Sequence, residues 1–140
     1  SVKQGLDQYF VAAGFGKANY DDRWVTVKTG PIPFKFPNSD ARRIAVRFHD
    51  IHHVLTGYPT TLAGEAHIGA WELGSGCGRH VPAWVLNFGA VLMGLFFTPR
   101  GVIKAFVRGY RSRNLYKSAY DEKLLARTVG ELRAELGIRT

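Results

Sequence analysis

The chain contains few cysteines, and this shortage limits how the fold is held together. Cys77 is the one cysteine in 140 residues, so no internal disulfide is possible. A chain of this length buries enough surface to form a core without covalent cross-links. The N-terminus also lacks the charged, then apolar, then small-residue pattern of a secretory signal. We therefore expect a single domain, residues 1–140, that is cytoplasmic or lies peripherally on the reducing side of a membrane.

Acidic residues are also scarce, which narrows the choice of partner. The chain has 19 Lys and Arg against 11 Asp and Glu, a formal charge of +8 that favours anionic partners. No acid occurs between Arg100 and Lys117. This basic stripe, which includes Arg108 and Arg111, is compatible with an anionic membrane, a ligand phosphate or an ordinary solvated face. No recognisable nucleic-acid-binding module accompanies it, so we expect no nucleic-acid partner.

Helix caps, chain breakers and apolar spacing predict a mainly α, single-domain helical bundle with a small β-hairpin near residues 23–36. Residues 1–38 are predicted to form a short helix from Gly5 to Ala13 and an extended arm, and residues 39–140 a helical metal-binding core. Ser39 is a favourable N-cap and Gly57 a favourable stop for the first core helix. Further helices are predicted from Thr60 to Gly74, Pro82 to Phe97, Pro99 to Lys117 and Ala119 to Leu136.

One apolar segment, Val81 to Phe97, is 17 residues long. A membrane-spanning helix needs roughly 17–25 residues, so this segment is at the short end and we predict a buried helix instead. Trp84 and Phe88, with small residues between the aromatic ones, are compatible with a groove for an apolar ligand. Close packing between helices would use the same residues.

The strongest indication of chemistry is a pair of histidines one helical turn apart. His49 and His53 lie roughly 40° apart on a helix, so both imidazoles can bind one ion. Glu65 follows on the next predicted helix and completes a set of two histidines and one carboxylate with open coordination positions. Asp50 is predicted either to bind the metal or to hold an imidazole by its second nitrogen. We expect His52 to face solvent or a neighbouring helix.

Histidines also occur without metal, hydrogen-bonded in a core or at a surface, and spacing alone does not separate the two cases. Glu72 lies two turns after Glu65 on the same face, so it either lines the cavity or forms a surface salt bridge, which is the commoner role. His67 points almost the opposite way. His80 is expected to be structural or to face solvent.

The run from Phe48 to Glu65, FHDIHHVLTGYPTTLAGE, resembles the signature of the coenzyme Q biosynthesis protein 4 family. The resemblance continues in RGYRSRNL, from Arg108 to Leu115, and in ELRAELGI, from Glu131 to Ile138. It covers roughly residues 39–140. The first 38 residues do not match, and family members usually carry a longer helical region before the motif.

The resemblance implies a divalent metal, zinc in the family, at His49, Asp50, His53 and Glu65. It implies an isoprenoid-binding, peripherally membrane-associated protein that acts on the ring carbon of a prenylated quinone precursor, on the matrix side of the membrane if the source is eukaryotic. A redox-inert metal suits lyase chemistry, and iron suits oxidative decarboxylation. Manganese and magnesium remain open as the metal, and another hydrophobic molecule remains open as the substrate. The protein could instead be a non-catalytic lipid-binding scaffold, and a homo-oligomer is also open.

Overall fold

The computed structural model describes residues 1–14, 23–27 and 34–139. Within these ranges the elements follow one another as α1 (Val2–Ala13), β1 (Trp24–Val27), β2 (Phe34–Pro37), α2 (Asp40–Thr56), α3 (Leu62–Ser75), α4 (Val81–Phe97), α5 (Pro99–Tyr110), α6 (Glu122–Ala126) and α7 (Val129–Leu136). The prediction of a mainly α, single-domain bundle is confirmed.

The N-terminal helix begins earlier than predicted. The side chain of Ser1 accepts a hydrogen bond from the backbone N–H of Gln4, and the Gln4 side chain returns the contact in a capping box. Val2 and Leu6 are buried in the main core, so α1 belongs to the same packing unit as the later helices. Strands β1 and β2 pair antiparallel in the region of the predicted hairpin. Their connection, residues 28–33, lies outside the described residues.

The two helices of the metal motif have the predicted bounds to within a few residues. Ser39 caps α2 by accepting from the Arg42 N–H, and Gly57 ends it with a left-handed backbone at φ 78°. Helix α3 is capped by Thr61, one residue later than predicted, because the Thr61 hydroxyl accepts from the Gly64 N–H at 3.1 Å. The short connection between them returns α3 alongside α2.

The prediction that the apolar segment is a buried helix is wrong. Helix α4 buries Ala83, Asn87 and Gly94, whereas Phe88 is 58% exposed and Phe96 is 87% exposed. Small residues explain this orientation, because α4 packs on α3 through Gly94 and leaves its large side chains facing outward. In the described ranges, no helix has both the length and the apolar character needed to cross a bilayer.

The basic helix is shorter than predicted. Helix α5 ends at Tyr110, so Arg111, Arg113 and Lys117 follow it rather than extend its stripe. The chain turns here because the Ser112 hydroxyl and N–H bond to the last turn of the helix, and the Arg113 N–H then donates to the Leu136 carbonyl in α7.

The predicted last helix, Ala119 to Leu136, is wrong as a single element and is divided into α6 and α7. The break falls at Arg127 and Thr128. Thr128 forms a capping box with Glu131, which starts α7 afresh. The Arg127 carbonyl accepts from the Val2 N–H at 2.8 Å, so the extended backbone at the break joins the C-terminal helices to α1.

The backbones of α3 and α5 are nearly in contact where the two helices cross, and a glycine on each helix makes this possible. A Cβ added to Gly109 would overlap the backbone carbonyl of Trp71, and one on Gly74 would overlap the Phe106 carbonyl. Ala66, Ala70, Val102 and Ala105 fill the rest of this interface as a small second core. The absence of side chains at the crossing therefore determines how far α3 can approach α5.

We predict that Gly109→Ala destabilises the fold by about 1–3 kcal/mol, because the new methyl group forces the two helix backbones apart. Gly130→Ala in the first turn of α7 is the control: its Cβ meets open space, so the change should leave the stability the same or raise it by up to about 1 kcal/mol. Urea unfolding of both variants measures the difference. Equal unfolding free energies would contradict the close crossing.

Candidate metal centre

The two histidines of the motif face each other from successive turns of α2. Nε2 of His49 and Nε2 of His53 are 3.1 Å apart, and the rings are nearly perpendicular at 83°. Both side chains are largely buried. The helical spacing therefore brings the same nitrogen of each ring to one point, as the sequence predicted.

Glu65 completes the group from the first turn of α3. Its Oε2 is 3.3 Å from Nε2 of His49, and its Oε1 is 3.4 Å from Nε2 of His53. Within the described part of the chain, these three residues form the group that could hold a metal ion, with ligand atoms all within 4.8 Å of one another. The Glu65 side chain is 39% exposed, so the open side of the group lies at this carboxylate.

The other ring nitrogens have fixed partners, which settles where the protons lie. Nδ1 of His53 is 2.8 Å from the Tyr58 carbonyl oxygen, which can only accept, so this nitrogen donates. Nδ1 of His49 is 3.1 Å from Oε1 of Glu72 and donates in the same way. In the neutral rings each Nε2 then carries a lone pair directed at the other. Two lone pairs at this distance would repel, so a cation at this point, either a proton or a metal, would stabilise the site.

Glu72 is the most heavily hydrogen-bonded group in this region, and the expectation of a surface salt bridge is wrong. Its side chain is fully buried. Oε1 accepts from His49 and, at 2.6 Å, from Nδ1 of His52; Oε2 accepts from Asn87 at 2.5 Å and from the Tyr116 hydroxyl at 2.8 Å. Four donors use all the acceptor positions of a carboxylate. Sequence spacing gave one signal for it, since Glu72 shares a face of α3 with Glu65.

His52 is buried against the neighbouring elements and does not face solvent. Its Nε2 accepts from the Leu115 N–H at 3.0 Å, so its Nδ1 carries the proton that Glu72 accepts. Both nitrogens of the neutral ring are thus used in packing. This position outside the candidate ligand set agrees with the sequence analysis.

Tyr9 is a site residue that the sequence analysis did not identify. Its ring stacks on His53, with centroids 5.3 Å apart and an interplanar angle of 26°. Its hydroxyl donates to Oδ1 of Asp50 at 3.3 Å. Because Tyr9 lies on α1, in the part of the chain that matches no motif, no local pattern could have linked it to residues some 40 positions later.

Asp50 is buried next to the site but is outside the group of three. The second nitrogens of His49 and His53, which Asp50 was expected to hold, bond instead to Glu72 and Tyr58. Its role as a metal ligand or proton acceptor stays a prediction.

The charges of the site favour a bound cation. Burial would raise the pKa of Glu65, but its contacts with His49 and His53 lower it to about 2. Burial would likewise raise the pKa of Glu72, but the charge and hydrogen bonds of His49 and His52 hold it well below its usual range. Burial would lower the pKa of His49, yet Glu72 and Glu65 raise it well above the ordinary imidazole value. Without a metal, a proton on His49 therefore fills the gap.

None of the four residues proposed for substrate or lipid belongs to the group of His49, His53 and Glu65, and that role stays a prediction. Trp84 and Phe88 are exposed on α4, and the Trp84 indole N–H donates to the Gly78 carbonyl. Arg108 donates to the Thr56 and Arg139 carbonyls and lies over the Tyr58 ring, so its guanidinium supports the end of α2. Arg111 is exposed at the end of α5.

The two remaining histidines have structural partners. His67 pairs with the Thr98 hydroxyl at 3.0 Å, and His80 with the Tyr116 carbonyl at 2.9 Å. Their placement agrees with the sequence analysis, which put neither of them in the metal site.

No family model, curated protein or solved structure matches the chain. The resemblance to the coenzyme Q biosynthesis protein 4 family therefore rests on the motif residues alone. The chemistry of the donor set is independent of that resemblance, since it follows from the distances and proton positions of His49, His53 and Glu65.

We predict that the affinity for Zn²⁺ rises with pH because the metal must displace the proton held by His49. The pKa of His49 is raised, so below it each pH unit should increase the affinity about tenfold, and above it the affinity should level off. Isothermal titration in buffers of different ionisation enthalpy measures the protons released, about one per metal near pH 7. A constant affinity between about pH 6 and 8 would contradict the assignment.

Proposed function

We propose that the protein is a metal-dependent enzyme that acts on the ring carbon of a prenylated quinone precursor. The observation that carries the metal site is the pair of histidine Nε2 atoms, 3.1 Å apart, facing the Glu65 carboxylate. Three protein ligands leave coordination positions for a substrate oxygen, as catalytic sites require. The substrate class comes from the resemblance of the motif.

The residues of the site have distinct tasks in this proposal. His49 and His53 hold the metal through Nε2, and Glu65 supplies the anionic ligand on the open side. A divalent metal there would supply Lewis-acid polarisation of a phenolate or carboxylate oxygen. Zinc is favoured by resemblance. The same ligand set suits iron, which would allow a hydroxyl group to replace the carboxyl group: the carboxyl carbon leaves as CO₂, and dioxygen takes up the two electrons and is reduced to hydrogen peroxide. Tyr9 covers the His53 ring and excludes water from that side.

An exposed apolar surface supports a hydrophobic partner. We define the α4–α5 face by its exposed large apolar residues, Trp84, Val85, Leu86, Phe88, Leu92, Met93, Leu95, Phe96, Phe97, Ile103, Phe106, Val107 and Tyr110. An apolar surface of this extent, not interrupted by charge on α4, is unusual for a monomer in water.

The charge around this face favours one occupant, an anionic lipid surface. From Leu73 to Tyr120 the chain contains no Asp or Glu, but it contains the cations Arg79, Arg100, Lys104, Arg108, Arg111, Arg113 and Lys117. Two surfaces with this excess of positive charge would repel each other, whereas lipid head groups of negative charge would attract it. We therefore propose that the α4–α5 face lies on a membrane, where prenylated substrates dissolve.

We predict that the metal-loaded protein releases CO₂ from a prenylated hydroxybenzoate whose carboxyl carbon is isotopically labelled. His53→Ala should lose the metal and reduce release by at least about 100-fold, because a ligand is missing. His67→Ala is the matched control, since His67 hydrogen-bonds to Thr98, packs on the Tyr58 ring and is not one of the candidate ligands. Mass spectrometry of the released gas measures the rate.

The outcomes of this assay separate the alternatives. Equal release by His53→Ala would sink the metal mechanism. No release with zinc, iron, manganese or magnesium, together with a recurrent co-purifying prenyl lipid, would favour the non-catalytic lipid-binding scaffold. A recurrent unrelated hydrophobic molecule would favour a different substrate.

We predict that the protein sediments with vesicles containing phosphatidylserine and less with vesicles of phosphatidylcholine alone. Phe96→Glu should weaken binding by about 10-fold or more, because a carboxylate would enter the apolar layer of an anionic surface. Val11→Glu is the matched control: Val11 is 83% exposed but lies on α1. Equal binding of both variants, or a stable dimer that Phe96→Glu dissociates in the absence of vesicles, would contradict the membrane assignment.

A further inference from the structure

Among the described residues that contact His49, His53 or Glu65, Glu72 is the one with a charged and fully buried side chain. It does not belong to the three candidate ligands, and its Oε1 lies 3.1 Å from Nδ1 of His49, on the side of the ring away from Nε2. His53 differs, because its Nδ1 meets only a neutral carbonyl, that of Tyr58. The second nitrogen of His49 therefore bonds to a charged group, whereas that of His53 bonds to a neutral one.

The remaining contacts of Glu72 hold it where His49 needs it. Oε2 is held by the Asn87 amide on α4 and by the Tyr116 hydroxyl. Oε1 is also held by His52, whose proton position is set by the Leu115 N–H. Because every partner of Glu72 donates, the carboxylate has no hydrogen to give and His49 must be the donor. Nε2 of His49 is thereby kept on the metal side, and the proton that an ion displaces is the one on Nε2.

The charge of Glu72 matters as well as its geometry. A divalent ion held by two neutral histidines and Glu65 would leave one uncompensated positive charge in a largely buried group. The negative charge of buried Glu72 would compensate this positive charge from the other side of the His49 ring. A carboxylate bonded to the second nitrogen of a ligating histidine also fixes the orientation of the ring and makes its metal-bound nitrogen more basic.

We propose that Glu72 is a positioning residue of the metal centre, which orients His49 through Nδ1 and supplies the second negative charge that a divalent ion needs there. The proposal rests on the metal site of the proposed function. It predicts that the metal affinity of the site depends on Glu72, although the Glu72 carboxylate does not bind the ion.

The test compares Glu72→Gln with Thr98→Val. Glutamine has the same size, and its carbonyl oxygen can still accept from the two histidines, but it lacks the charge; its amide then faces Asn87 and Tyr116, whose side chains must turn to accept from it. Thr98→Val removes a part-buried hydrogen bond to His67 and leaves Glu72, His49 and the charge untouched. We expect Glu72→Gln to weaken Co²⁺ binding by about 10- to 100-fold and to shift the visible Co²⁺ absorption bands. Thr98→Val should change the affinity by less than about threefold and leave the bands in place, even where both variants lose similar melting temperature.

The outcomes distinguish this proposal from the proposed function. If the wild type binds Co²⁺ and His53→Ala does not, but Glu72→Gln matches the wild type in affinity and spectrum, the role of Glu72 is overturned while the metal site stands. If the wild type itself binds no Co²⁺, both fail. Should Glu72→Gln not fold, nitrogen NMR of the metal-loaded wild type decides: a proton on Nδ1 of His49 with the metal on Nε2 supports the proposal, and the reverse overturns it.

Discussion

The buried carboxylate of Glu72 is the interaction on which the rest of the structure depends. Its four donors come from α2, α4 and the segment after α5, while Glu72 itself lies on α3. An ionised carboxylate out of water is costly unless every acceptor position is filled, and here each one is. The hydrogen bonds that offset the cost of burying this carboxylate also hold α2, α3, α4 and the segment after α5 together. Packing and site geometry are therefore not separable in this protein.

Helix α3 brings this arrangement about because it carries different residues on its two sides. Glu65 and Glu72, two turns apart, face α2, while Ala66 and Ala70 pack against α5. The close crossing at Gly109 lets α3 sink against α5 without large side chains between them. As a consequence the large apolar residues of α4 and α5 have no place in the interface and remain outside. Because α3 packs on its neighbours through small residues, it both positions the carboxylates of the metal centre and leaves the large apolar residues of α4 and α5 exposed.

Local signals predicted the parts of the fold and site that are encoded within a few turns. Ser39 and Gly57 set the ends of α2, and the spacing of His49 and His53 places both Nε2 atoms at one point. Such features need only the geometry of a single helix. The division of the last helix was missed although the capping box of Thr128 and Glu131 is a local signal for a new start. Only the bond from the Val2 N–H to the Arg127 carbonyl, which stabilises the break, joins residues far apart in sequence.

Burial was the quantity that sequence pattern predicted least well. Glu72 was expected at the surface because acids usually are, but four distant donors stabilise it inside. Helix α4 was expected inside because it is apolar, but small residues at its contacts turn the large ones outward. Tyr9 joined the site through tertiary packing alone. In each case the deciding partner lies far away in sequence.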